Sequence, residues 1–242
     1  MVTHTPEAVR RRLARNRPHS YLKDFVYGAV DGTVTTFAVV AGVAGARLST
    51  QVVVILGLAN LFADGFSMAV SNYLGSRTEA QQRERARREE LTHITHYPEG
   101  EREEIRQIMA QKGFAGQHLE SAVAVITGNT ERWVNTMLQE EYDLPLQGNT
   151  PWKAAAATFV AFFVAGLIPV APFLWNAFTD YAIRAPFAWS AGATGIAFFS
   201  IGVAKGRFVG QPWYRSGAET LLLGGGAAAL AYGVGLWLEG LA

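Results

Sequence analysis

Two carboxylates stand where carboxylates are expensive. Asp31 lies in FVYGAVDGTVTT (residues 25–36) and Asp64 in LANLFADGFSMAV (58–70), each inside a long apolar run. An Asp at the centre of a membrane helix costs about 2.5–3.5 kcal/mol on insertion scales, so it normally faces a partner or a water-filled path. Two such groups placed close together repel unless a cation or a proton sits between them. Asn60, Asp64, Met68 and Ser71 fall at i, i+4, i+8 and i+11, one stripe of a helix. At 1.5 Å per residue, Asp31 lies about 9 Å from the apolar edge at Phe25 and Met68 about 11 Å from the same edge, with Asp64 one turn deeper. The three can meet in one half of a bilayer, which is the chemistry of a transmembrane cation path. Taken singly, Met68 could equally pack against neighbours, and Asn60 could serve as an interhelical hydrogen-bonding group.

A second concentration of possible ligands lies in the polar block 76–151, which holds thirteen acidic and nine basic residues. Glu89 and Glu90 precede His93 and His96, Glu101 and Glu104 share a face at i,i+3, and Met137 shares one with Glu140 and Glu141. Carboxylates joined by an imidazole and a thioether suit a divalent first-row metal such as Fe²⁺ or Mn²⁺. The same glutamates would also make an ordinary solvated helix face. Glu90-Leu-Thr-His93 matches the Glu-x-x-His pattern of di-iron bundles, but those use two copies and one is present.

The elements that must hold these residues are helices. Five windows, roughly 25–46, 52–75, 152–175, 186–205 and 216–238, reach the ~20 apolar residues that a membrane helix needs. The first is too long for a signal-peptide core and no small-residue cleavage site follows it. The fold class is an all-α membrane protein: five transmembrane helices with a small helical domain inserted between the second and third. The organisation expected is a basic N-terminal segment 1–24, spans one and two over 25–75, the inserted domain 76–151, and spans three to five over 152–242. Alternating the spans puts 19 of the 21 Lys and Arg residues on one side, with Arg47 and Arg184 opposite. By the positive-inside rule the N-terminus and 76–151 are cytoplasmic. The chain has no cysteine, which excludes disulfides and thiolate ligands, and at a net charge of +1 no nucleic-acid partner is expected.

Within the block, residues 76–96 contain no Gly or Pro, so span two should run on as a helix, with i,i+4 pairs Glu79–Arg83 and Glu84–Arg88. Tyr97-Pro98 ends it and Pro98 opens a second helix, which stops at Lys112-Gly113. A third helix is expected from Gln117 to Thr127, and a fourth over Glu131–Tyr142 capped by Thr130. In span three, Pro169 and Pro172 should kink or end the helix. Gly28 and Gly32 in span one offer a GxxxG face for close helix approach, and GGGAAALAYGVG in span five does the same. Glu219 is expected to pair with Lys205 or Arg207.

The motifs DGTVTTFAVVAG and ADGFSMAVSNYLG, with REEL, EEIRQIMAQKGF and RWVNTMLQEE in the block, resemble the vacuolar iron transporter family. The likeness runs from about residue 20 to the C-terminus and is weakest in spans three and four. It implies a homodimer with five spans per chain and proton-coupled export of Fe²⁺ from the cytosol, into a vacuole or out of the cell, with Mn²⁺ carried by some members. No permanently bound cofactor is implied: Fe²⁺ is substrate, with Mn²⁺ or Zn²⁺ as alternatives, and the partners are lipid, divalent metal ions and protons. The membrane would be the plasma membrane in a prokaryote and the vacuolar membrane otherwise. By the resemblance Asp31 is the pore aspartate and Met68 the pore methionine. Asn60 stands where eukaryotic members have a Glu, so Asp64 would take over that role. Glu90, Glu101 and Glu104 match metal-binding glutamates, and Met137 and Glu141 match ligands of the last helix of the block. His93 falls where a Glu is expected and Leu138 where a second Met often sits. Glu89, His96 and Glu140 are further candidate ligands. Two other readings of the same residues are a membrane-anchored ferroxidase and a metal sensor that does not transport.

Overall fold

A computed structural model describes residues 4–14, 20–179 and 182–241. The helices in chain order are α1 (Pro6–Ala14), α2 (Leu22–Gly45), α3 (Thr50–His96), α4 (Pro98–Gln111), α5 (Gly116–Thr127), α6 (Thr130–Glu140), α7 (Pro151–Phe178), α8 (Pro186–Val209) and α9 (Trp213–Leu238), followed by a 3₁₀ turn, Glu239–Leu241. Five of them, α2, α3, α7, α8 and α9, are long and apolar enough to cross a membrane, so the chain is an integral membrane protein. The chain divides into two compact units: Tyr21–Gly75 with Thr150–Ala242, and Ser76–Asn149 with the described residues of Met1–Ser20.

In the apolar unit α2 is the central helix, packed on α7, α8 and α9. Small residues allow this. A Cβ on Gly28 would strike the Thr158 carbonyl oxygen of α7, and one on Gly32 would lie 2.8 Å from the Phe162 carbonyl carbon. Further along α2, Gly45 meets the Tyr232 carbonyl of α9, and Gly235 of α9 meets the Gly42 carbonyl. The glycine-rich stretch of α9 is only partly used: Gly224 and Gly235 pack closely, whereas a Cβ on Gly225, Gly226 or Gly233 would meet nothing within 4 Å among the described residues. Phe37, Val40, Val53, Val170, Phe173 and Phe198 form the apolar core between these helices.

α7 does not end at its prolines. It runs through Pro169 and Pro172 to Phe178, and Ser190 of α8 donates to the Pro169 carbonyl at 2.6 Å. The prolines free the carbonyls four residues before them, Ala165 and Ile168, so the Ser190 bond ties α8 to α7 beside the break and does not replace a lost ladder bond. Five of the six tryptophans, Trp152, Trp175, Trp189, Trp213 and Trp237, lie near the ends of α7, α8 and α9 and are more than half exposed. Indole rings at helix ends, outward-facing, are the aromatic belts of a membrane–water boundary. Glu219 pairs with Lys205 at 3.2 Å.

In the polar unit α3 reaches His96 unbroken, and Tyr97-Pro98 separates it from α4 as the proline rule requires. Gly113 takes a φ of +94° where α4 closes. Two details differ from expectation. α6 is capped by Asn129, whose side chain accepts from the Arg132 N–H at 2.9 Å, while Thr130 is already helical; the helix ends at Glu140 rather than Tyr142. The Glu84–Arg88 pair forms at 3.2 Å, but Arg83 turns its guanidinium onto Gly148 instead of toward Glu79. Ile105, Met109, Val123, Trp133 and Met137 form the core of this unit, and Ala86, Val134 and Leu138 a second patch.

The glycine contacts have opposite signs for one substitution. Alanine raises helix propensity by about 1 kcal/mol over glycine, yet overpacking costs about 1–3 kcal/mol. Gly32→Ala is expected to lower the thermal unfolding temperature of the detergent-solubilised protein, and Gly225→Ala to leave it equal or higher. Tryptophan fluorescence melts would check both.

Candidate metal sites

Within the apolar unit, α2 and α3 carry their polar groups along a common seam. Near one end, Asn72 of α3 donates to Asp24 Oδ1 at 2.9 Å and to Thr158 Oγ1 of α7 at 2.7 Å. Toward the other, Asn60 donates to Thr36 Oγ1 at 3.1 Å and Thr35 Oγ1 at 3.3 Å. Between them, Asp31 and Asp64 stand at matching levels of the two helices. Numbers rise on α2 as they fall on α3, so 24–72, 31–64 and 36–60 are rungs of one antiparallel ladder. The ladder spans about 18 Å at 1.5 Å per residue.

The outer rungs are neutral amides answering hydroxyls or a carboxylate. The middle rung sets one carboxyl group against another. Asp31 is partly buried and Asp64 exposed on the surface of the chain. Met68 is partly buried one turn from Asp64, toward Asn72. Asn60 is thus an interhelical hydrogen-bonding group, while Asp31 and Asp64 present oxygens without a cationic partner among the described residues. Asp24 and Asn72 were not legible as site residues, because an apolar window that starts at Phe25 leaves Asp24 outside it. α2 in fact begins at Leu22 and buries Asp24, whose Oδ2 has no hydrogen-bond partner.

In the polar unit, one turn of α3 and the first turns of α4 meet across the proline break. Glu90 and His93 share a face of α3 at i,i+3, and Pro98 turns the chain so that Glu101 faces them. His93 Nδ1 lies 3.4 Å from Glu101 Oε1 and 3.8 Å from Glu90 Oε1. One ligand atom from each of the three falls within 4.8 Å of the others. Glu90 and Glu101 are 1% and 4% exposed, the Oε2 of each meets no N–H or hydroxyl donor, and the two carboxyls lie within hydrogen-bond reach of one another. Tyr142, just past α6, donates its hydroxyl to Glu90 Oε1 at 3.0 Å. Glu104 and Glu141 form the exposed rim, close enough for their charges to act on Glu90 and Glu101.

The electrostatics follow from burying like charges together. Burial, then the charges of Glu90 and Glu104, pushes the Glu101 carboxyl up to about 7. Glu90 is raised by burial, partly offset by Tyr142 and His93. Glu141 is raised by burial and then by Glu90 and Glu104. Burial and the bond to Glu90 raise the Tyr142 phenol, so it stays a donor. A divalent cation would relieve this repulsion, and an oxygen-rich set with one imidazole nitrogen suits a hard or borderline ion.

Three other candidate ligands have partners of their own. Glu89 pairs with Arg85 at 2.8 Å, Glu140 with Lys112 at 2.6 Å, and His96 Nδ1 turns to the Thr92 carbonyl at 2.8 Å. Met137 is fully buried among Ile105, Met109, Val123 and Trp133. Leu138 packs with Ala86 and Val134.

A raised carboxyl holds its proton more tightly in the folded chain than in the unfolded one. Glu101 therefore stabilises the metal-free protein at low pH, and that contribution is lost as pH rises through about 7. A divalent ion competes with the same proton and binds more tightly over the same rise. Mn²⁺ affinity is expected to increase about tenfold per pH unit up to pH 7 and then level off. Glu101→Gln should flatten that slope in calorimetric titrations.

Comparison with known proteins gives the family. A sequence model of the VIT family matches residues 22–236. The chain is 34% identical over 230 residues to the "Vacuolar iron transporter" of Toxoplasma gondii, covering 93% of this chain and 76% of that protein. It is 31% identical over 214 residues to the "Vacuolar iron transporter 1" of Arabidopsis thaliana, covering 87% and 83% of the two chains. The "Vacuolar iron transporter 1" of Oryza sativa subsp. japonica is 30% identical over 216 residues, with 88% and 83% covered. With a match across nearly all of its length, the chain belongs to the VIT family.

Proposed function

We propose that this protein is a transporter that moves Fe²⁺ out of the cytosol in exchange for protons, with Mn²⁺ as an alternative substrate. The observation that carries the reading is the Asp31–Asp64 rung, two carboxylates opposed on neighbouring apolar helices with amide–hydroxyl and amide–carboxylate ties on either side. Like charges in an apolar surround are relieved by a cation or by protons, so one site can hold either and exchange them. Iron as the substrate is supported by the names of the relatives. Glu90, His93, Glu101, Glu104, Met137 and Glu141 collect the ion from the cytosol. Met68 adds a thioether beside the Asp31–Asp64 rung, a softer ligand that favours Fe²⁺ over Ca²⁺ or Mg²⁺.

The side assignment rests on charge, since Lys153, Lys205, Arg207 and Arg215 share one side with the arginine-rich N-terminus. A homodimer belongs to the same reading. Asp64 is exposed on the chain, and facing lipid it would cost about 2.5–3.5 kcal/mol, a cost that a second copy covering α3 would remove. The membrane is the plasma membrane in a prokaryotic cell and a vacuolar membrane otherwise.

Proteoliposome flux tests the pathway. Asp31→Ala and Asp64→Ala are each expected to lower Fe²⁺ uptake at least tenfold, while Glu101→Gln should raise the Fe²⁺ concentration needed for half-maximal flux. Wild-type flux from Asp31→Ala would remove the basis for this route.

A further inference from the structure

The end of α6 is built to deliver one side chain. Glu141 caps the helix, Asp143 takes the left-handed conformation (φ +51°), and the Leu144 N–H returns to the Leu138 carbonyl at 2.8 Å. A non-glycine residue in that conformation costs about 1–2 kcal/mol, so the reversal is held by what surrounds it. The holding contacts are the packing of Tyr142 and Leu144 on Ala86, Val134 and Leu138. The Tyr142 ring is thereby fixed against α3, and its hydroxyl donates to Glu90 Oε1 at 3.0 Å.

Glu90 is 1% exposed. Its Oε1 is engaged by the phenol, with His93 Nδ1 at 3.8 Å, while Oε2 meets no N–H or hydroxyl donor and the carboxyl lies within hydrogen-bond reach of the Glu101 carboxyl. A carboxylate tied by one oxygen is oriented, and a divalent ion can replace a proton shared between Glu90 and Glu101. We propose that Tyr142 is a positioning residue for divalent-metal capture, clamping Glu90 so that its carboxylate stays aimed at His93 and Glu101. This rests on the reading of that cluster as a metal-binding site. Groups that hold a ligating carboxylate typically contribute 10–100-fold to metal affinity.

The test uses the full-length protein in lipid nanodiscs with Mn²⁺ as the probe. Tyr142→Phe keeps the ring and removes only the donor. It is expected to weaken Mn²⁺ binding about tenfold, to change the EPR spectrum of the bound ion, and to leave the unfolding temperature of the metal-free protein within a few degrees. In a Glu90→Gln background the same change should have no further effect, because the clamp has nothing left to hold. Wild-type affinity and spectrum from Tyr142→Phe, with Glu90→Gln weakened, would overturn the role of Tyr142 and leave the metal site standing. An equal loss in both backgrounds would also overturn it, by making the effect a general structural one. Unchanged Mn²⁺ binding in Glu90→Gln and Glu101→Gln would overturn both the site and the clamp.

Discussion

A polar group carried into an apolar medium must be answered within the protein, and α2 is the helix on which that constraint bears hardest. It holds two aspartates and three threonines along the length that the other apolar helices surround. Glycines bring α7 and α9 against its backbone, so α2 is central and its polar groups cannot turn to solvent. Thr33 bonds back to its own helix at 2.7 Å. Asn72 and Asn60 of α3 answer Asp24 and the Thr35–Thr36 pair. One rung is left without such an answer, the one where Asp31 meets Asp64. The rungs on both sides carry amide hydrogen bonds, although Asp24 keeps one oxygen unanswered, and the rung between them carries two carboxyl groups and no amide.

The polar unit repeats that logic in a different setting. A helical domain with water available has no need to bury carboxylates, yet Glu90 and Glu101 are almost inaccessible and each keeps an oxygen that no N–H or hydroxyl reaches. The nearby ion pairs, Arg106 with Glu103 and Glu120 and Lys112 with Glu140, are exposed and contribute little to stability. Charge that could have been neutralised by those arginines and lysines is instead gathered and desolvated. In the proposed mechanism both places work alike: the repulsion stored among carboxylates is discharged by a divalent ion or by protons, so the two compete by construction.

Much of this was legible in the sequence, for reasons that are local. Apolar run length marks the five spans, a single proline sets the α3–α4 break, and the i,i+3 spacing of Glu90 with His93 and of Glu101 with Glu104 fixes which side chains share a face. What was not legible depends on helix phase and on tertiary contact. Glu89 and Glu90 are neighbours in sequence but point about 100° apart on a helix; Arg85 takes the first and the core takes the second. Glu140 and Glu141 divide the same way, with Lys112 as the deciding partner. Asp24 falls outside an apolar window yet is buried by α3 and α7. Tyr142 lies beyond its helix, and only the reversal at Asp143 brings it to Glu90. Asn129 and Thr130 are both good caps, and the one with the extended backbone takes the position.

The central claim is that one carboxylate pair alternates between a divalent ion and protons. It is tested most directly by loading proteoliposomes with a pH-sensitive dye, imposing an Fe²⁺ gradient with no pH gradient, and recording both fluxes at once. The account predicts proton movement opposite to Fe²⁺, lost together with Fe²⁺ flux when Asp31 and Asp64 are replaced by Asn. Fe²⁺ flux with no accompanying proton movement in the wild-type protein would contradict it.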